Sequence, residues 1–255
     1  MNINKESKRF CIVGCGRLGT ALAVYLPNSD FSLASLASLS LESAGNAAGF
    51  AGAGRVCQSP EEAADKADLI FITTPDTVIE PVCRNMAGKG VFRQGQTVFH
   101  LSGALSSDIL EPARDAGAQI GSIHPLQAFT PYESGQASPF KGINVSVEGD
   151  AGAVELGRAI IRALGARAFA IPTRAKTLYH ASAVVASNYL VTLEHFALRL
   201  LAEADLPEDQ AYAILEPLIM GTLKNIKAKG SVKALTGPVA RGDDEIVRRH
   251  LAGID

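Results

Sequence analysis

Apolar positions fall into two regimes along the chain. Up to about residue 171 they come as short runs separated by helical spacers; beyond it they recur at helical spacing. The runs lie at 10–13, 31–37, 68–73, 97–101, 118–123, 143–147 and 166–171. They are mostly apolar without strict alternation, the pattern of parallel strands buried on both faces. Strand, helix, strand in repetition predicts an α/β fold with a doubly wound, mainly parallel sheet of the Rossmann type. Ser59-Pro60-Glu61-Glu62 starts one spacer helix, with a cap, a proline in the first turn and acids beside it. Residues 151–164 predict another. After Pro172-Thr173 the pattern turns all-helical: a long apolar helix at 176–204, a second at 207–227, a connector at 230–237 and a closing helix at 243–251. The chain therefore divides, on its pattern, into an α/β domain at 1–172 and an all-α domain at 173–255.

The first run breaks into Gly14-Cys15-Gly16-Arg17-Leu18-Gly19, a G-x-G-x-x-G between a strand and a helix. In that context Gly14 allows the tight turn, Gly16 lets backbone approach a pyrophosphate, and Gly19 lets helix and strand close together. The helix start, with Arg17 and Leu18, offers free N–H groups and a partial positive charge to phosphates. At the end of the second strand, where an NAD site carries an acid for the ribose hydroxyl, the chain reads Ser38-Leu39-Ser40. Without that carboxylate a 2′-phosphate meets no repulsion, and two hydroxyls stand ready to bond it. NADP(H) is the expected cofactor.

Ligands of such sheets bind beyond the carboxyl ends of the strands. Those ends carry Thr74-Pro75-Asp76, Ser102-Gly103 and His124. Thr74, Pro75, Asp76 and Gly103 are expected against the cofactor, and Ser102 against cofactor and substrate. His124 suits acid–base work. Lys176 and His180 stand four residues apart on one helix face. Beside a carbon that receives hydride, such groups polarise the oxygen or move the proton. His124, Lys176 and His180 are the candidate catalytic residues. Asn188 and Arg241 are candidates for substrate, Arg241 because a guanidinium forks onto carboxylates. Asp243 or Asp244 reads as a helix cap. His100, inside its strand, reads as a satisfied core histidine.

Composition narrows this picture. A net charge of −2 gives no case for nucleic acid or an anionic membrane. No apolar stretch reaches a bilayer span, no secretory leader is evident, and the four cysteines lack metal-ligand spacing. A cytoplasmic protein that binds a small molecule and no metal is expected. The helix at 176–204 is apolar on most sides, so a second subunit is the expected cover, giving a homodimer through the helical half.

The stretches GCGRLGTAL, TTPDTVI, HLSGALS, GSIHPLQAF, KTLYHASAVVASNYL and LTGPVARGD together resemble the Rossmann-like proteins that carry the DUF2520 domain, relatives of the 6-phosphogluconate dehydrogenase-like superfamily. The resemblance implies a nicotinamide-binding domain and a helical domain that commonly dimerises. In β-hydroxyacid dehydrogenases of that superfamily a Lys, and an Asn four residues later, act on substrate. Lys176 matches the first, and His180 stands where the Asn would be. His124-Pro125 is similar to the His-Pro of prephenate-type dehydrogenases. Family members usually continue for another helix, so altered packing at the C-terminal end is expected. The implied activity is NADP-dependent hydride transfer to a carbonyl or imine carbon of a small anionic metabolite, for example a 2-keto acid such as ketopantoate. The alternatives are a non-catalytic NADP(H)-sensing module and an oxidative hydroxy-acid or prephenate-type dehydrogenase.

Overall fold

The structure, a computed structural model, describes residues 7–254 apart from the side chain of Glu208. Its strands are β1 (Lys8–Val13), β2 (Phe31–Ala37), β3 (Arg55–Cys57), β4 (Leu69–Ile72), β5 (Thr97–His100), β6 (Gln119–Pro125), β7 (Asn144–Gly149) and β8 (Arg167–Ala170). They form one sheet in the order β3-β2-β1-β4-β5-β6-β7-β8. Every pairing is parallel except β6 with β7.

The unbroken apolar runs have a direct cause. Successive strand residues point to opposite faces, and both faces are covered. Phe10, Ile12, Leu69, Phe71 and Phe99 enter one core, packed with α1 (Arg17–Tyr25), α2 (Leu41–Ala51) and α6 (Ala151–Ala163). Cys11, Val13, Ile70, Ile72 and Val98 enter the other, with α3 (Pro60–Ala64), α4 (Asp76–Gly88) and α5 (Glu111–Asp115). Ser59 caps α3 as its sequence predicts, accepting from the Glu62 N–H at 3.2 Å. Strand β3 is not legible in the sequence. It is short and at the sheet edge, and two of its three side chains are exposed, so it needs no apolar run.

The chain divides into a compact unit that ends at Ala183 and a second that begins at Val184. The composition change near residue 172 thus precedes the end of the first unit, which includes most of α7 (Lys176–Val184). The single helix expected at 176–204 is interrupted by a π-helical turn at Val185–Tyr189 before α8 (Leu190–Glu203). Beyond it lie α9 (Glu208–Lys229), α10 (Ser231–Ala234), α11 (Gly237–Arg241) and α12 (Asp244–Ala252). The expected connector at 230–237 is thus partly helical: α10 fills it, and Pro238 starts α11. These helices are too short to show a period. Asp243 caps α12, accepting from the Ile246 N–H at 3.3 Å. Among the described residues of the second unit only Ala211 is buried. Among the described residues no helix is long and apolar enough to cross a membrane.

Candidate active site

The three glycines of the first turn have three different surroundings. Gly14 has φ +107°, and a Cβ there would stand 2.8 Å from the Thr74 backbone nitrogen. A Cβ on Gly19 would run into the Gly14 carbonyl and stand 2.7 Å from Thr73 Oγ1. Packing therefore accounts for both. It does not account for Gly16, which is exposed at the N-cap of α1 and whose Cβ would meet nothing within 4 Å. Bare backbone at a helix N-terminus is the cradle a pyrophosphate needs, so these residues fit a dinucleotide.

Around that cradle, Arg17 is exposed and lines a hollow of about 260 Å³ with Gln127, Thr130, Tyr132 and Gln136. Leu18 packs its side chain on the core, leaving its backbone to a ligand. Ser38 Oγ accepts weakly from the Cys15 N–H at 3.4 Å and steadies the glycine turn. Ser40 caps α2, accepting from Ser43 N–H at 3.3 Å. Leu39 between them is fully exposed. Thr74 Oγ1 is buried without a hydrogen-bond partner, and Pro75 and Asp76, both exposed, open α4.

A second cluster forms where β5, β6 and β7 meet α7. The antiparallel register sets Ser122 opposite Glu148 and His124 opposite Ser146. Ser122 and His124 are two residues apart, so they share a face about 6.6 Å apart. On α7, Lys176 and the pair Tyr179 and His180 are separated by about 4.5–6 Å along the axis. The two spacings match. Lys176 meets the first rung: its Nζ donates to Ser122 Oγ at 2.6 Å and lies 3.9 Å from Glu148. Tyr179 and His180 meet the second: Tyr179 Oη lies 2.9 Å from His124 Nδ1, and the two imidazole rings are 5.8 Å apart.

The first rung is buried. Lys176 is 2% exposed and Glu148 2%. Glu148 also accepts from Ser107 N–H and Ser107 Oγ, both at 2.8 Å, and from Thr173 Oγ1 at 2.9 Å. Burial pulls the Lys176 ammonium down to about 8, against the attraction of Glu148 and Asp76. Next to this rung, His100 is buried in a fixed tautomer. Its Nδ1 accepts from Ser102 N–H at 3.1 Å, so Nε2 carries the proton toward Ser106 O, also at 3.1 Å. Burial, then the Lys176 charge, lowers its pKa to about 3. It is the satisfied core histidine that its strand position predicts. Ser102 is spent locally: its Oγ accepts from Ala104 and Leu105 N–H at 3.1 Å.

The second rung holds His124, Tyr179 and His180. His124 is half-buried, and burial, then Lys176 and His180, pulls its pKa down to about 4. Gly103 is wedged between the imidazoles. A Cβ there would contact His180 Cδ2 and stand 2.6 Å from His124 Nε2. Ser102, Gly103, His124, Lys176 and His180 are thus brought together within the first unit. Asn188 and Arg241 are exposed residues of the second. Sequence reasoning missed Tyr179, Glu148, Ser122, Ser107 and Thr173. Tyr179 could have been found three residues after Lys176 on the same face, and Glu148 as an acid one residue past the apolar run at 143–147. Among the described residues no group of three or more His, Cys, Asp or Glu is placed to hold a metal.

Solved structures share this fold over nearly the whole chain. A protein from Bacteroides fragilis, provisionally described as an NADP oxidoreductase, is 22% identical, with a TM-score of 0.77 over 97% of this chain and 91% of that one. A Thermotoga maritima protein is 27% identical, with a TM-score of 0.70 over 94% and 87%. A 1-pyrroline-5-carboxylate reductase from Streptococcus pyogenes is 16% identical, with a TM-score of 0.67 over 96% and 93%. No curated protein matches the sequence. Family models match as a Rossmann-like domain at residues 2–125 and as DUF2520, a domain of unknown function, at 143–255. Over those two stretches, most of its length, the chain belongs to the Rossmann-like and DUF2520 domain families.

Proposed function

We propose that this protein is an NADP-dependent reductase that delivers hydride to a carbonyl or imine carbon of a small, anionic metabolite. The observation that carries this reading is the pair of imidazoles flanking Gly103 at the carboxyl ends of β5 and β6, on the same sheet edge as the open glycine turn. A module that only sensed the cofactor would not need that pair. Structural relatives point the same way: the Bacteroides protein is provisionally described as an NADP oxidoreductase, and a Plasmodium falciparum pyrroline carboxylate reductase of this fold has NADP bound.

Gly14, Gly16, Leu18 and Gly19 would hold the pyrophosphate by backbone, with Arg17 beside it. Ser38 and Ser40 would meet the 2′-phosphate, and Thr74, Pro75 and Asp76 the nicotinamide half. The cofactor, when bound, supplies the hydride. The chain supplies the rest. His124 and His180 contact the polar atom beside the reacting carbon, and Lys176 acts through them as a positioning cation. Hydride addition leaves negative charge on a carbonyl oxygen, and donors fixed beforehand stabilise it more in the transition state than in the ground state.

The helical half supports a homodimer. Val191, Leu193, Phe196, Leu218, Leu223 and Ile226 are exposed on α8 and α9, in a unit that buries almost nothing itself. A second copy brings identical apolar surface at no cost in specificity.

Calorimetric titration with NADPH and NADH, followed by NADPH oxidation with a panel of 2-keto acids and cyclic imines, tests the reading. Tighter binding of NADPH and turnover on one member of the panel are expected. Failure to bind either nucleotide overturns the assignment. Binding without turnover across the panel returns the protein to the sensing class.

A further inference from the structure

We infer that Tyr179 is a positioning residue that fixes His124 as the Nε2–H tautomer, so that His124 meets its ligand as a neutral hydrogen-bond donor. The inference rests on the reductase reading for its consequence and on the local geometry for its content.

Tyr179 Oη and His124 Nδ1 are 2.9 Å apart, and only one of them can donate. The ring of Tyr179 stands edge-on to His124 at 5.6 Å and packs against Phe169 at 6.0 Å, so the phenol is held from two sides. A phenol hydroxyl is a stronger donor and a weaker acceptor than the bare nitrogen of a neutral imidazole, so across this contact the phenol donates and Nδ1 accepts. Ser146, opposite His124 in the β6–β7 register, has a buried hydroxyl without a hydrogen-bond partner and does not compete for Nδ1. With the phenol donating to Nδ1, the ring hydrogen of the neutral imidazole is left on Nε2.

The tautomer then determines what the outer nitrogen does. Among the described residues Nε2 makes no hydrogen bond, and it sits beside Gly103, facing the space shared with His180. A neutral Nε2–H there is a donor only. The charged and titratable groups around it are Lys176, Tyr179 and His180 on α7 and His100 on β5. Lys176 and His180 both oppose a positive charge on His124, and burial opposes it more. The ring works as an electrophile and does not cycle through imidazolium, which is the role of a neutral imidazole in carbonyl polarisation. A donor-only contact selects a substrate whose reacting group accepts a hydrogen bond, a carbonyl oxygen or a neutral imine nitrogen. It offers nothing to an iminium cation.

The test is a long-range proton–nitrogen correlation spectrum of the imidazole-labelled full-length protein at pH 7, with His124 assigned from His124→Gln. A pyrrole-like Nε2 and a pyridine-like Nδ1 are expected. In Tyr179→Phe, which keeps the ring packing, His124 should become a mixture of tautomers while the melting profile and NADPH affinity stay unchanged. Ser146→Ala should leave the pattern as it was. A pyrrole-like Nδ1 in the parent protein overturns the inference, as does a Tyr179→Phe spectrum identical to the parent. The readout is independent of turnover, so loss of the reductase reading would show separately, as absence of NADPH binding in every variant.

Discussion

Replacing Lys176 with Met tests the first rung directly. Methionine keeps much of the bulk but removes the charge and the donor to Ser122. It also strands Glu148, a carboxylate only 2% exposed, with its three hydroxyl and amide donors but no cation. Breaking a buried pair from one side costs about 3–5 kcal/mol, because the remaining charge stays desolvated. Removing both charges relieves that. The structure indicates that the pair is not fully compensated, since burial outweighs Glu148 and holds the lysine at about 8. Glu148→Gln alone leaves the opposite charge stranded. The double variant should recover at least about 2 kcal/mol relative to the sum of the single changes, the upper part of the range for residues in one network. Urea unfolding at pH 7, with the slope checked for constancy, reads all four corners of the cycle. A second reading comes from His124, whose pKa Lys176 lowers. In Lys176→Met its titration should move up from about 4 toward the ordinary histidine value. Additive single changes, or an unmoved His124, would refute the electrostatic account.

Other expectations follow from the same geometry. His100 and His124 stay neutral when folded down to about 3 and about 4, whereas the unfolded chain protonates them near 6.5. The unfolded state binds more protons in that window, so stability should fall from pH 6.5 toward 4, by up to about 1.4 kcal/mol per pH unit for each group; a flat profile contradicts it. Gly16→Val should fold normally, since its Cβ space is open, yet lose NADPH binding in calorimetry; retained affinity would mean the cradle is not the pyrophosphate site. Gly103→Ala pushes on His124 and His180, and should cut turnover roughly a hundredfold while NADPH still binds; an unaffected rate would place the chemistry elsewhere. Sedimentation should show a dimer across micromolar concentrations, and a monomer there would remove the case for the second copy.

The sheet was legible because burial on both faces removes alternation. Phe10 and Cys11 serve opposite cores, so neither position can be polar. The edge strand β3 escaped because Arg55 and Val56 are exposed and carry no such demand. The antiparallel turn of β7 could not be read either, since an apolar run looks the same in both directions. Much of the site depends on that strand. Ser122 and Glu148 become neighbours only through the antiparallel register, at 122–148 and 124–146. Lys176 was read as a cation reaching the substrate because four-residue spacing shows which face it shares, not how deep that face lies.

That depth separates two roles which one helix face had seemed to combine. Along α7 the residue nearest the domain floor, Lys176, is enclosed by Ser122 and Glu148 and donates to the Ser122 hydroxyl. One turn on, Tyr179 and His180 meet His124, whose outer nitrogen still lacks a partner among the described residues. A buried cation 2.6 Å from its neighbour's hydroxyl cannot also lean out to a substrate without breaking that bond and uncovering Glu148. Its charge nevertheless reaches His100 beside it and His124 on the next rung, and helps keep both unprotonated. The lysine therefore adds to burial in holding His124 neutral. On the proposed reading, exchanging it should shift the pH profile that His124 gives to kcat more than the KM for substrate, a KM-against-kcat split that a substrate-contacting lysine would not give.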